Sequence, residues 1–233
     1  TAVVRQIGTC MSTCVYCGSA SGTTADHIPP KCLFPKPRPS DLVTVPCCED
    51  CRVSQSKDDE YFKRMIVLRR DLAHHPAIRR LLPSVHRSLS RPKQRGFNVA
   101  LVRSLKDVEV RTPAGVILGQ AKGYNVDLDR MCRVMERVAV GFYFDHAKAK
   151  LPGNHVCRVY PLDGIEEAEF RPGTGLREVI DFARAGERRV WGNDVFARWF
   201  NAATTPDGAT ASIFLLFGVA GFIAFTAPLA SEK

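Results

Sequence analysis

The chain has little that would send it out of the cell or into a membrane. Its N-terminus, TAVVRQIG, lacks a long apolar core and a cleavage site, so no secretory signal is legible there. One long, strongly apolar stretch is free of charge, residues 213–230 (IFLLFGVAGFIAFTAPLA), and Gly218, Gly221 and Pro228 interrupt it. Eighteen such residues lie near the lower limit for a membrane-spanning helix. The aromatic and β-branched content instead predicts two buried strands, IFLLF and FIAFT, joined by a tight GVAG turn. No internal repeat is present, which excludes solenoids and propellers. Acidic residues are also short, at 24 against 33 Lys and Arg, for a net charge of +9.

That excess is focused. Residues 57–95 carry eleven Lys/Arg against four Asp/Glu, whereas the segments before and after are each close to balance. A concentrated basic patch attracts polyanions, because each cation that meets a phosphate releases condensed counterions. A solvated helix face with a basic linker is the alternative.

Cysteine is scarce beyond residue 51, where only Cys132 and Cys157 occur; seven others lie between Cys10 and Cys51. With a reducing, cytoplasmic location expected, clustered thiols point to metal rather than disulfides. Cys14-Val15-Tyr16-Cys17 and Cys48-Glu49-Asp50-Cys51 are two CxxC pairs, and four thiolates complete the tetrahedral shell of a structural Zn²⁺. Gly18 fits the knuckle turn after the first pair. Cys47 could replace Cys48 through a CxxxC pairing, but the x₂ register repeats the first pair. Cys10 and Cys32 read as small buried residues.

Between the pairs stands Thr24-Ala25-Asp26-His27-Ile28-Pro29-Pro30-Lys31. An extended backbone puts a carboxylate and the next imidazole on opposite sides unless the strand turns, and a strand ending at Pro29 supplies that turn. Side by side, the two residues could hold a hard divalent cation and take a proton from water.

The segments CVYCGSASGTTADHIPPKCLFP and PSDLVTVPCCEDCRVSQSKDDEYF, about residues 14–62, resemble the HNH endonuclease family in its zinc-stapled branch. The resemblance implies a ββα finger that hydrolyses DNA phosphodiesters. It assigns His27 as general base, Asp26 as ligand of a catalytic Mg²⁺ or Mn²⁺, and Asp41, of Asp41-Leu42, as the side chain bracing the loop that orients the histidine. Where the family has Asn or His just after the last cysteine, this chain has Arg52, and a guanidinium has no lone pair for a metal. Either Ser54, Gln55 or Asp58 takes over, or the metal is held weakly, or catalysis is lost. A chain that binds nucleic acid without cutting it is therefore the alternative. Lys57 falls where the family contacts backbone phosphate, and Arg52, Lys63 and Arg64 extend the expected duplex-DNA surface.

The expected fold class is α+β: a small N-terminal zinc-bound ββα finger, a helix, and a C-terminal mixed α+β domain. A helix starting just after Cys51 carries Tyr61, Phe62, Met65, Ile66 and Leu72 at helical spacing, with His75-Pro76 ending or bending it. The finger and basic helix take residues 1–82. Residues 83–96 (PSVHRSLSRPKQRG) read as a linker, and residues 97–233 as the second domain. There FNVALV and VEVRTPAGVILGQAKGYNVD read as strands with a PAG turn. DLDRMCRVMERVAVGFYFDHAKAK reads as an amphipathic helix capped by Asp127 or Asp129. Next come a strand (HVCRVYPL), a helix (LREVIDFARAG) and strands VFARWFNAAT, IFLLF and FIAFT. His74, His75 and His86 read as surface residues or helix-end caps, and Trp191 and Trp199 as core.

Overall fold

The computed structural model describes residues 13–19, 22, 24–112, 114–162, 175–204 and 208–229. Cys10 lies outside them. The mixed α+β class holds. Strands β1 (Thr24–Ile28) and β2 (Val43–Cys47) form an antiparallel pair, and helix α1 (Glu49–Val67) follows directly. Helices α2 (Pro76–Leu89) and α3 (Arg95–Arg103) lead to a hairpin of β3 (Lys106–Arg111) and β4 (Ile117–Gly123). Helix α4 (Leu128–Ala147), strand β5 (His155–Pro161) and helix α5 (Leu176–Arg184) come next. Strands β6 (Glu187–Trp191), β7 (Phe196–Ala202), β8 (Thr210–Leu216) and β9 (Ala220–Pro228) complete a five-stranded antiparallel sheet in the order β5-β9-β8-β7-β6.

The uncharged run is thus a β-hairpin. Alternate residues of a strand face opposite sides. Here Phe214, Leu216 and Phe222 join the main core, while Ala211, Ile213 and Ile223 pack with Ile180 and Ala183 of α5. A sheet covered on both faces needs apolar residues at nearly every position, which is why the sequence runs without charge. Among the described residues no helix is long and apolar enough to cross a membrane.

Helix α4 forms as its periodicity dictates. Asp127 caps it by accepting from Arg130 N at 3.1 Å, and Met131, Val134, Met135, Val138 and Phe142 are buried. Phe142 stacks on Trp191 and Phe214, with ring centroids 5.5 and 5.9 Å away. Gly141 faces β1: a Cβ there would lie 2.6 Å from Ile28 Cγ1, so the absence of a side chain lets α4 approach the strand that carries His27.

Three expectations need correction. Residues 83–96 are not an extended linker. Pro83–Leu89 continues α2, because Ile78, Leu81 and Val85 form a buried stripe that outweighs the interior proline and the polar composition. A 3-10 turn at Pro92–Gln94 then runs into α3. FNVALV is helix rather than strand: Phe97 packs edge-on to Tyr61 at 6.1 Å and lies under the Arg64 guanidinium, so packing overrides β propensity. Helix α1 begins at Glu49 and stops at Val67, and His75 starts the next helix instead of ending this one. Its Nδ1 accepts from Ala77 N at 3.2 Å. One hydrophobic cluster draws on Val15, Phe34 and Val45 as well as on Phe196, Phe214 and Phe222, so the core is continuous across the expected 83–96 boundary.

Candidate metal centre and phosphodiester site

The Cys14-to-Cys17 turn closes through Gly18 N donating to Cys14 O at 2.9 Å, with Gly18 at φ +80°. Only glycine enters that region without strain. Val15 N donates to Pro46 O at 3.0 Å, which ties this knuckle to the end of β2. Cys48 is the N-cap of α1, its Sγ accepting from Cys51 N at 3.4 Å. The thiols of Cys14, Cys17, Cys48 and Cys51 therefore converge, with all four Sγ atoms within 4.8 Å of one another. Cys17 and Cys48 Sγ are 3.7 Å apart. A tetrahedral ion with metal–sulfur bonds of about 2.3 Å spaces its sulfurs at roughly 3.8 Å. The donor set fits a structural zinc, with Cys48 rather than Cys47 as the fourth ligand. Cys47 is buried, and its thiol, 3.2 Å from Cys48 O, is pushed up to about 12, chiefly by burial. Cys32 is half-buried and likewise pushed up to about 12 by burial.

The strand separates the other expected partners. Asp26 pairs across β1–β2 with buried Val45, and His27 with exposed Thr44, so the carboxylate faces inward and the imidazole outward. The turn at Pro29 comes too late to bring them side by side. Asp26 Oδ2 accepts from Tyr16 Oη at 2.7 Å and lies 3.4 Å from Arg137 Nε; Oδ1 accepts from His27 N at 2.9 Å. Arg137, on α4, is buried and also bridges to Asp59. Burial pushes the Asp59 carboxyl up against the pull of Arg137.

A catalytic divalent cation at Asp26 does not fit these residues. The carboxylate is already engaged by a buried guanidinium and a phenol, and a second cation there would meet the charge of Arg137. Arg52 is exposed and ion-paired with Glu49, Nε to Oε2 at 2.8 Å, and donates nothing to a metal. Asp58 is held by Arg130 and Arg133 at 2.7 and 3.3 Å. Ser54 Oγ donates to Cys51 O at 3.0 Å, and Gln55 lines a shallow cavity with Ser54 and Asp58.

Asp41 does not brace His27. Its carboxylate is 3.2 Å from Arg189 Nη2, and its carbonyl accepts from Trp191 Nε1 at 3.2 Å, so β6 of the C-terminal sheet holds the loop. Arg64 is no nucleic-acid contact either. It is buried, its Nη1 reaches Gln94 at 2.9 Å, and its Nη2 reaches Glu60 and Ser88 at 2.5 and 2.7 Å. Lys57 is exposed, and Lys63 is half-buried with Nζ donating to Ser84 Oγ at 2.7 Å.

His27 is half-buried. Burial and the neighbouring Lys31 lower it from its ordinary value, so the imidazole is neutral near pH 7. Arg38 adds to that effect and donates from Nε to Lys31 O at 3.1 Å. Sequence reasoning passed over Lys31 and Arg38, hidden in a proline string. It also passed over Arg137, although a charged residue three positions after Val134 on an apolar stripe was a visible anomaly. Scans against protein-family models, curated proteins and solved structures found no match to this chain.

Proposed function

We propose that the chain is a zinc-stapled nucleic-acid phosphodiesterase of the HNH type, acting on duplex DNA, with His27 as general base. The observation that carries this reading is the placement of His27: outward on β1, half-buried, and close enough to Lys31 and Arg38 for both to lower it from its ordinary value. An unprotonated imidazole can take a proton from an attacking water. The water oxygen bonds to phosphorus as the P–O3′ bond breaks, the departing 3′-oxygen takes a proton from solvent, and Lys31 and Arg38 supply positive charge to the phosphate. The Cys14, Cys17, Cys48 and Cys51 quartet fixes the strand pair and the start of α1, and so fixes where the imidazole stands. No role is given to a divalent ion, because Asp26 is engaged by Arg137 and Tyr16.

That same engagement, with Arg52 turned to Glu49, favours a second reading: a zinc-stabilised protein that binds nucleic acid without cleaving it. A nicking assay on supercoiled DNA, run in Mg²⁺, in Mn²⁺ and in EDTA, separates the two. The first reading expects cleavage that His27→Ala abolishes while DNA affinity is retained. Equal binding with no cleavage by either protein establishes the second, and cleavage undiminished by His27→Ala removes the histidine from the chemistry.

A further inference from the structure

A second concave site lies between the proline-rich loop after β1 and helix α2. It is a cavity of about 440 Å³ whose walls carry Lys36, Arg38, Lys63, Arg80 and Arg87, and whose lining includes no carboxylate. Five cations around one hollow, with Phe34 and Leu81 also in the lining, repel one another unless an anion joins them. The nearest compensation is indirect. Glu60 acts on Lys63 through space, but its carboxylate is engaged by Arg64 and Ser88.

The walls are held in place by neutral groups, which leaves their charge unspent. Arg80 Nη2 donates to the Lys36 carbonyl, Arg38 Nε to the Lys31 carbonyl, and Lys63 Nζ to the Ser84 hydroxyl. A guanidinium has five N–H donors, so Arg38 and Arg80 keep several for a ligand. Burial lowers the Lys63 ammonium from its ordinary value, the cost of holding that charge away from water. Arg38 lines the cavity and also acts electrostatically on His27, so one guanidinium is shared between the cavity wall and the surroundings of the imidazole.

We infer that this cavity is a phosphate-binding subsite for the nucleic-acid strand presented to His27, seating backbone phosphate beyond the bond to be cut. The inference rests on the reading of the site as a phosphodiesterase and deepens it, because it names the residues that hold the strand. Phosphate contacts of this kind position a strand without reading its sequence. The exposed pair Arg80 and Arg87, on α2, grips the phosphate, and Lys63 sits at the inner wall.

The test is the affinity of the full-length protein for a labelled 20-base-pair duplex, measured by fluorescence anisotropy across a salt series. Wild type, His27→Ala, the double variant Arg80→Ala/Arg87→Ala, and the control Arg79→Ala on the same helix are compared. The double variant is expected to bind at least about tenfold more weakly, with a log–log salt slope shallower by roughly 1 to 2; Arg79→Ala stays near wild type. Equal losses in the double variant and in Arg79→Ala reduce the cavity to part of a diffuse field and overturn the proposal, as does wild-type affinity in the double variant. Cleavage by wild type with normal binding by the double variant sinks the subsite alone. Arg80- and Arg87-dependent binding without cleavage sinks the catalytic reading alone and supports the subsite. Far-UV circular dichroism of each variant excludes misfolding as the cause of a loss.

Discussion

Replacing Arg137 with Met is the sharpest probe of the inward face of β1. The substitution keeps an unbranched stem of similar length, so most of the packing stays and the charge goes. Arg137 is only 6% exposed, and it neutralises Asp26 and Asp59, whose side chains are 19% and 22% exposed. Removing one partner of a buried ionic group costs about 3–5 kcal/mol, because the remaining charge is left without compensation. The residual exposure of both carboxylates puts the expected loss near the lower end, at about 3 kcal/mol. In a chain of this size that corresponds to a fall in Tm of roughly 6–12 °C. The loss should also depend on pH. Burial already raises Asp59 above its ordinary value, and without Arg137 its folded value rises further. A carboxylate raised in the folded state favours folding when protonated, so the deficit is largest near pH 7.5 and shrinks as pH falls through the raised value. Thermal unfolding by circular dichroism at pH 5 and pH 7.5 measures both effects, and adding Asp59→Asn should restore part of the loss. A fall below about 3 °C, or the same fall at both pH values, would refute the reasoning.

Purified protein should contain one zinc per chain by elemental analysis. Because two of the four ligands, Cys14 and Cys48, are buried, chelation or Cys48→Ser should unfold at least the β1–β2 pair, as a structural site worth about 10 kcal/mol or more would demand. The His27 imidazole should titrate below the ordinary value of about 6.5 in an NMR pH series, and Lys31→Ala should move the midpoint upward. With the folded value depressed, its contribution to stability is present above the ordinary value and is lost as pH falls towards the folded one. Gly141→Ala should cost about 1–3 kcal/mol in chemical unfolding, since its methyl would stand 2.6 Å from Ile28 Cγ1 and press on the strand that holds His27.

The parts of the molecule that local chemistry dictates were readable from the sequence. Paired thiols at x₂ spacing announced the quartet, the stripe from Met131 to Phe142 announced α4 with its Asp127 cap, and the uncharged run with its GVAG turn announced β8 and β9. What failed was decided by distant neighbours. The stretch at Arg95–Arg103 is helical because Phe97 finds Tyr61 and Arg64. Arg64 looked available on a basic face until α2 supplied Ser88 and the following turn supplied Gln94. Asp41 looked like a brace for the imidazole, and no local pattern could show that Arg189 and Trp191, some 150 positions away, take it instead. Asp26 is the instructive case: a motif can place a carboxylate, but only the tertiary structure reveals which cation reaches it first.

The clamp that Trp191 and Arg189 place on Asp41 bears on how this module could be handled. The segment between the two thiol pairs leans on a sheet synthesised long after it, and Phe34 shares a core with Phe196 and Phe214. Cut out as a cassette, the stapled segment would carry its ion and a raw apolar underside into water. Grafting it onto another scaffold would require bringing a surrogate for β6 and β7, and a ribosome-bound nascent chain would present it unfinished until the last hairpin emerged.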